Sequence, residues 1–297
     1  METTDIIPVK KQGYNRLKSY NRHYTLKANQ SDHYDIVAFG DSSVSTDISP
    51  EAMVASLPGL RPYNFAFPGL SMNKTMLMAT EDRLDVTSPS KAILLGFSTH
   101  TLTDAEQVNN KYYYPFKNVP FTELLTIRLT GYDLLNPTSF DYLYWLWTQK
   151  SNPTKKKKEA KEQIIPIIHD DTGWFELESD VVKTEFSRED YVNKYKDIAL
   201  GISPTVVSEL LEQVRIWHQK GIRVFGFRVP LAPALIDISD EVDQFNQNQF
   251  VTDFMQSGGT WIPINSKGYK TVDGFHLSGR EARRLSKDIA EVIKSKL

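Results

Sequence analysis

The chain has 297 residues, 40% hydrophobic and 24% charged, and a formal net charge of −2. That is the composition of a globular protein with room for one large α/β domain or two small ones, and it gives no basis for a general affinity for nucleic acid. The absence of cysteine excludes disulfides, thiol catalysis and cysteine-ligated metals. No apolar run approaches bilayer-spanning length and the first residues lack the apolar core of a signal peptide, so the sequence as given reads as cytoplasmic, or as extracytoplasmic if it is an excised domain.

Residues 1–33 are polar and basic, with Lys10, Lys11, Arg16, Lys18, Arg22 and Lys27 interleaved with Tyr14, Tyr20 and Tyr24. They read as an arm preceding a domain at 34–297. The first strand is Ile36-Val37-Ala38-Phe39, a short β-prone run that ends abruptly in Gly40-Asp41-Ser42 and so delivers those residues to the carboxyl edge of a sheet. A helix is predicted to start at Ser49-Pro50-Glu51, with Ser49 as N-cap and proline in the first turn, and to stop before Pro58-Gly59. The second strand, Tyr63 to Phe67, brings Pro68-Gly69 to the same edge. A helix follows from Met72 to Val86, with Ser71 as its cap, and Lys91 to Phe97 forms the third strand. Such a β-α-β-α-β run predicts a parallel sheet with right-handed crossovers.

Regularity then lapses, and residues 105–200 read as an insert of about a hundred residues. It carries Tyr112-Tyr113-Tyr114-Pro115-Phe116, the aromatic run Phe140, Tyr142, Tyr144, Trp145 and Trp147, and the solvated run Lys155 to Lys158. The aromatics suit either a small core of the insert or a platform for sugar rings or acyl chains. Order returns at Ser203-Pro204, where Val207, Leu210, Leu211, Val214 and Trp217 share one helical face and Gly221 closes the helix. The fourth strand is Ile222 to Val229; Arg228, near its end, faces solvent, a structural carboxylate or a substrate. A short fifth strand near Trp261 to Ile264 precedes Asp273-Gly274-Phe275-His276, and the last helix opens on a capping box, Ser278 with Glu281.

Ser42 is the candidate nucleophile, lifted from the core at the sheet edge where α/β proteins bind ligands. Its partners are read from the other end of the chain. Asp273, three residues before His276, reaches the imidazole Nδ1 across one tight turn and leaves Nε2 for Ser42, as a serine–histidine–aspartate arrangement requires. Two other patterns carry less. Ser71-Met72-Asn73-Lys74 has the spacing of penicillin-recognising enzymes without their companion motifs, and His169-Asp170-Asp171 reads as a surface turn in preference to a metal site. His100 follows the third strand and so approaches the site.

Phe39-Gly40-Asp41-Ser42 and Asp273-Gly274-Phe275-His276 resemble the first and last blocks of the SGNH hydrolase family, the GDSL-like lipases, esterases and carbohydrate O-acyltransferases. Asn64-Phe65-Ala66-Phe67-Pro68-Gly69 is similar to the second block, whose glycine N–H contributes to the oxyanion hole. In Leu94-Leu95-Gly96-Phe97-Ser98, Ser98 stands where the family pattern has asparagine. The resemblance implies a three-layer α/β fold, a parallel sheet flanked by helices (SGNH- or flavodoxin-like), interrupted by the insert after the third strand. It further implies an esterase or acyltransferase acting on an acyl, perhaps acetyl, ester of a carbohydrate, with no metal or cofactor and with Ser42, Gly69 and Ser98 forming the oxyanion hole. Arg228 and His100 are then candidate substrate-binding residues. The competing expectation, favoured by Ser98, is a carbohydrate-binding or scaffold domain that keeps the fold without the chemistry.

Overall fold

A computed structural model of the chain describes residues 22–104, 113–130, 165–169, 171–178, 186–195 and 201–297. In chain order, α1 (22–28) precedes β1 (Ile36–Phe39), α2 (Ser42–Asp47), α3 (Pro50–Ser56), β2 (Pro62–Asn64), α4 (Lys74–Glu81) and β3 (Ala92–Phe97). Then follow α5 (Tyr114–Lys117), α6 (Phe121–Thr130), β4 (Ile165–His169), β5 (Trp174–Glu178) and α7 (Arg188–Tyr195). The remainder comprises α8 (Pro204–Gln219), β6 (Arg223–Arg228), α9 (Pro233–Asp243), α10 (Gln247–Gln256), β7 (Thr260–Trp261) and α11 (Gly279–Lys294).

Five strands form one parallel sheet in the order β2-β1-β3-β6-β7, and β4 and β5 make a separate antiparallel pair. This is a doubly wound order, with its switch point between β1 and β3, the two strands that lead to Ser42 and Ser98. Alternation along the strands builds two cores. Ile36, Ala38, Ala92, Leu94, Phe225 and Phe227 face one core with Val44, Met53, Leu285 and Ile289, whereas Val37, Phe39, Ile93, Leu95 and Val224 face the other with Met76, Leu210, Trp217 and Phe254. Helices therefore cover both faces of the sheet, as near-continuous apolar strands demand.

At the carboxyl edge, two glycines allow close packing. A Cβ on Gly40 would stand 2.3 Å from Val44 Cγ2 and 2.8 Å from the Gly96 carbonyl, and one on Gly96 would stand 2.3 Å from the same methyl. Val44, wholly buried, thus seats α2 directly across the ends of β1 and β3.

Several elements differ from the sequence reading. A six-residue helix, α2, starts at Ser42 itself, ahead of the helix at Pro50. Helix α4 is capped by Asn73, whose side chain accepts from Met76 N; Ser71 is buried and donates to the Thr103 carbonyl. Residues 22–28, counted with the polar arm, are a helix that packs Tyr24 and Ala28 into the second core. Lys27 is 1% exposed and donates to the Gly173 carbonyl at 2.7 Å, and burial holds its pKa well below that of an ordinary lysine. The aromatic run at 140–147, Tyr112 and Lys155–Lys158 lie outside the described residues. No described helix is long and apolar enough to cross a membrane.

Candidate active site

Two loops meet at the carboxyl edge. The first is the β1–α2 turn: Asp41 caps α2, its Oδ1 accepting from Ser43 N at 2.9 Å and Val44 N at 3.4 Å, which leaves Ser42 in the first helical position. The second runs from Thr271 to Leu277, which pair across its base. Within it Asp273 Oδ1 accepts from Phe275 N at 3.0 Å and His276 N at 2.9 Å, while Gly274 takes φ +91°, a left-handed conformation that favours glycine. A Cβ at Gly274 would also meet Phe186 Cζ at 2.3 Å.

This folding of the second loop turns its side chains onto Ser42. His276 Nδ1 lies 2.8 Å from Asp273 Oδ2 and His276 Nε2 lies 2.9 Å from Ser42 Oγ. With Nδ1–H donating to Asp273, Nε2 is the acceptor for the serine hydroxyl. The three residues named from sequence therefore stand in hydrogen-bonded series.

What holds the loops in register was not read from the sequence. Ser43 Oγ donates to the Phe275 carbonyl at 3.0 Å, and Leu277 N donates to Asp47 Oδ1 at 2.9 Å, so helix α2 grips the residues on either side of His276. Asp47 is wholly buried; burial raises its pKa well above the carboxylate range against the Thr46 and Leu277 hydrogen bonds, and the Asp41 and Asp273 charges raise it further. The far end of α2 is fixed as firmly. Asn64 Nδ2 donates to the Val44 and Ile48 carbonyls, each at 2.8 Å, and Trp174 Nε1 donates to the Thr46 carbonyl at 2.7 Å. Part of the region read as an insert is consequently a support for the nucleophile helix. Its helix α7 adds Tyr191, which stacks on Phe275 and donates to Asp243 Oδ2, the same atom that accepts from Thr99.

Gly69 arrives on the segment after β2, which continues beside β1 through Phe65 N to the Ala38 carbonyl (2.8 Å) and Phe67 N to the Gly40 carbonyl (3.2 Å). Among the described residues neither the Ser42 nor the Gly69 amide donates to a protein acceptor. The Ser98 hydroxyl donates to Asp41 Oδ2 at 2.7 Å and lies 3.0 Å from His100 Nδ1 and 3.5 Å from His100 Nε2, so its proton is spent inside the protein. His100 Nε2 lies 2.5 Å from the same Asp41 oxygen. Burial alone would push the Asp41 carboxyl up; the His100 charge, hydrogen bonds from His100 and Ser98 and the His276 charge outweigh it and hold Asp41 well below the usual carboxylate range.

Arg228 is not brought to Ser42. Arg228 is 6% exposed and its guanidinium is bound by Asp240 at 2.6 and 2.9 Å, Gln247 at 2.7 Å and Ser239 at 3.1 Å, which fits the structural alternative among those read from sequence. His169 lies at the end of β4, not in a surface turn, with its ring between Glu51 at 3.1 Å and Glu176 at 3.0 Å. Among the described residues no group of three or more histidine and acidic side chains is arranged to hold a metal ion.

Comparison with protein-family models and with curated proteins returns no match to this chain. The site must be interpreted from its own geometry.

Proposed function

We propose that the chain is a serine-dependent ester hydrolase or O-acyltransferase of SGNH type, acting on an acyl ester, acetyl in the simplest case, of a carbohydrate. The observation that carries this reading is the unbroken series Asp273 Oδ2, His276 Nδ1, His276 Nε2, Ser42 Oγ, with contacts of 2.8 and 2.9 Å. Ser42 Oγ attacks the acyl carbon while His276 Nε2 takes its proton, and Asp273 stabilises the imidazolium that forms. The oxyanion is met by the amides of Ser42 and Gly69, and the leaving alcohol departs with the proton from His276. Water or a second hydroxyl, deprotonated by His276, then takes the acyl group from Ser42.

The test is a serine-directed fluorophosphonate. It is expected to attach to Ser42, and His276→Ala is expected to abolish the labelling. A folded protein that forms no adduct and turns over no small acetyl ester would overturn the proposal. The second reading, a carbohydrate-binding or scaffold domain, draws on Ser98, whose hydroxyl faces Asp41 in place of the hole. In enzymes, loss of one oxyanion donor costs roughly a hundredfold to a thousandfold in rate. Saturable glycan binding without any adduct would favour that second reading.

A further inference from the structure

We infer that Lys27, on helix α1, is a positioning residue that ties the nucleophile helix α2 and the segment bearing Gly69 into one frame. The catalytic part of this inference rests on the acyl-transfer reading of Ser42; the mechanical coupling does not.

Three contacts converge on one nitrogen. Lys27 Nζ donates to the Gly173 carbonyl at 2.7 Å and, more weakly, to Asn64 Oδ1 at 3.4 Å, and it lies over the Phe67 ring, 5.3 Å from the centroid. Each partner leads to the site by a short path. Gly173 precedes Trp174, whose indole N–H holds the Thr46 carbonyl of α2. Asn64 holds the Val44 and Ile48 carbonyls of the same helix, and its own backbone N–H donates to the Thr172 carbonyl at 2.9 Å, so the turn at 172–173 is fixed against β2. The fit there is close: Gly173 takes φ +71°, and a Cβ on it would stand 2.2 Å from the Asn64 carbonyl oxygen. Phe67 stands shortly before Gly69, and Tyr24 of α1 packs on its ring with centroids 5.7 Å apart.

A lysine is a costly way to fill this place. The residue is 1% exposed, and among the described residues no carboxylate pairs with it. Desolvating an ammonium without a counter-charge is penalised, which is why its pKa falls. Methionine has nearly the same length and would fill the space without that cost, so packing alone does not call for lysine. What the amine adds is donors that reach from α1 to acceptors on two other elements. Lys27 touches no reacting atom. It acts through Asn64, Gly173 and Phe67 on where Ser42 and the Gly69 amide stand relative to one another, and small misplacements of reacting groups cost rate.

Lys27→Met in the full chain tests this. Relief of desolvation offsets the lost hydrogen bonds, so the urea midpoint is expected to stay near that of the wild type. In hydrolysis of a small acetyl ester, kcat is expected to fall about tenfold to a hundredfold with KM within about twofold. In a Trp174→Phe background, which already lacks the indole donor to Thr46, the same substitution is expected to cost at least about threefold less, as befits two parts of one brace. Exchange of the Trp174 indole hydrogen, followed by NMR, is expected to quicken about tenfold at that unchanged midpoint. A folded Lys27→Met protein with wild-type kcat overturns the inference, as does a variant that loses activity only by unfolding, or a kcat loss equal in both backgrounds. A wild-type protein inert to phosphonate and ester would overturn the functional reading instead, and the exchange rate would still decide the coupling: an unchanged rate in Lys27→Met overturns it.

Discussion

Asp41 and Asp47 stand at opposite ends of the same short helix, both without solvent exposure, yet their pKa values are displaced in opposite directions. Burial penalises the charged form of each. The difference lies in the partners. Asp41 meets an imidazole, a hydroxyl and two amides; among the described residues Asp47 meets only the Thr46 hydroxyl and the Leu277 amide, and the charges that bear on it are the carboxylates Asp41 and Asp273. Depth therefore fixes what a charge costs, and neighbours fix whether it is present. One end of α2 carries a carboxyl whose partners favour its ionised form, the other a buried carboxyl whose ionisation is disfavoured and which clasps the histidine loop.

The comparison is sharpened most by the third carboxylate. Asp273, with its side chain 37% exposed, shapes its loop through Oδ1 and meets His276 through Oδ2; Asp273→Asn, which keeps the Oδ1 acceptor, is expected to lower kcat on the order of ten-thousandfold while leaving thermal stability nearly unchanged. A variant with near-normal turnover would make Asp273 a loop-forming residue only. At the clasp, Asp47→Ala is expected to lower kcat by about tenfold to a hundredfold through misplacement of His276. Asp47→Asn, which keeps an acceptor for Leu277 N, is expected to retain most of the activity. Equal losses in the two variants would mean that charge at Asp47, not the hydrogen bond, matters. Ser98→Ala removes a donor from an ionised carboxylate and is expected to destabilise the fold by about 1.5 kcal/mol, read from urea unfolding. An unchanged midpoint would mean that the Ser98–Asp41 hydrogen bond adds nothing to stability.

The smallest effect is the pH dependence of stability, and its sign differs at the two ends. Asp47 is raised on folding, so its favourable contribution is complete below the unfolded carboxyl pKa of about 3.9 and is lost as pH rises through the raised value. Asp41 is depressed, so its contribution is present above about 3.9 and disappears as pH falls through the depressed value. Urea midpoints across pH are expected to lose their alkaline-side slope in Asp47→Asn and their acid-side slope in Asp41→Asn. Identical slopes in both variants would erase the distinction.

Much of this arrangement was legible in the sequence because it is written locally. The strands around Val37, Leu94 and Phe225 announce themselves as apolar runs, and Ser49-Pro50 and Ser203-Pro204 start helices where capping chemistry says they should. Ser42, Asp273 and His276 were readable because each sits in a short motif. Helix α2 was not: Ser-Ser-Val-Ser-Thr-Asp is a poor helix former with no apolar stripe, and it is held by Asp41, Asn64 and Trp174 from distant parts of the chain. The same applies to Asp47, whose partner is 230 residues away, and to Ser71, which yields the cap to Asn73 because its hydroxyl is taken by Thr103. Arg228 was read as facing solvent, a structural carboxylate or a substrate, and only α9, with Asp240, supplies the carboxylate.

The contact between Ser42 and His276 spans 234 residues, and that separation governs when the site comes into being. Contacts of such long range close late in folding, after the local strand and helix pairs have formed. The nucleophile and its base are therefore expected to meet only as α11, which begins three residues after His276 and packs against α2 and α3, settles into place. Partly folded chains would carry an exposed but unactivated serine. During refolding, recovery of turnover should thus trail recovery of helical signal, making activity a clock for the final docking step.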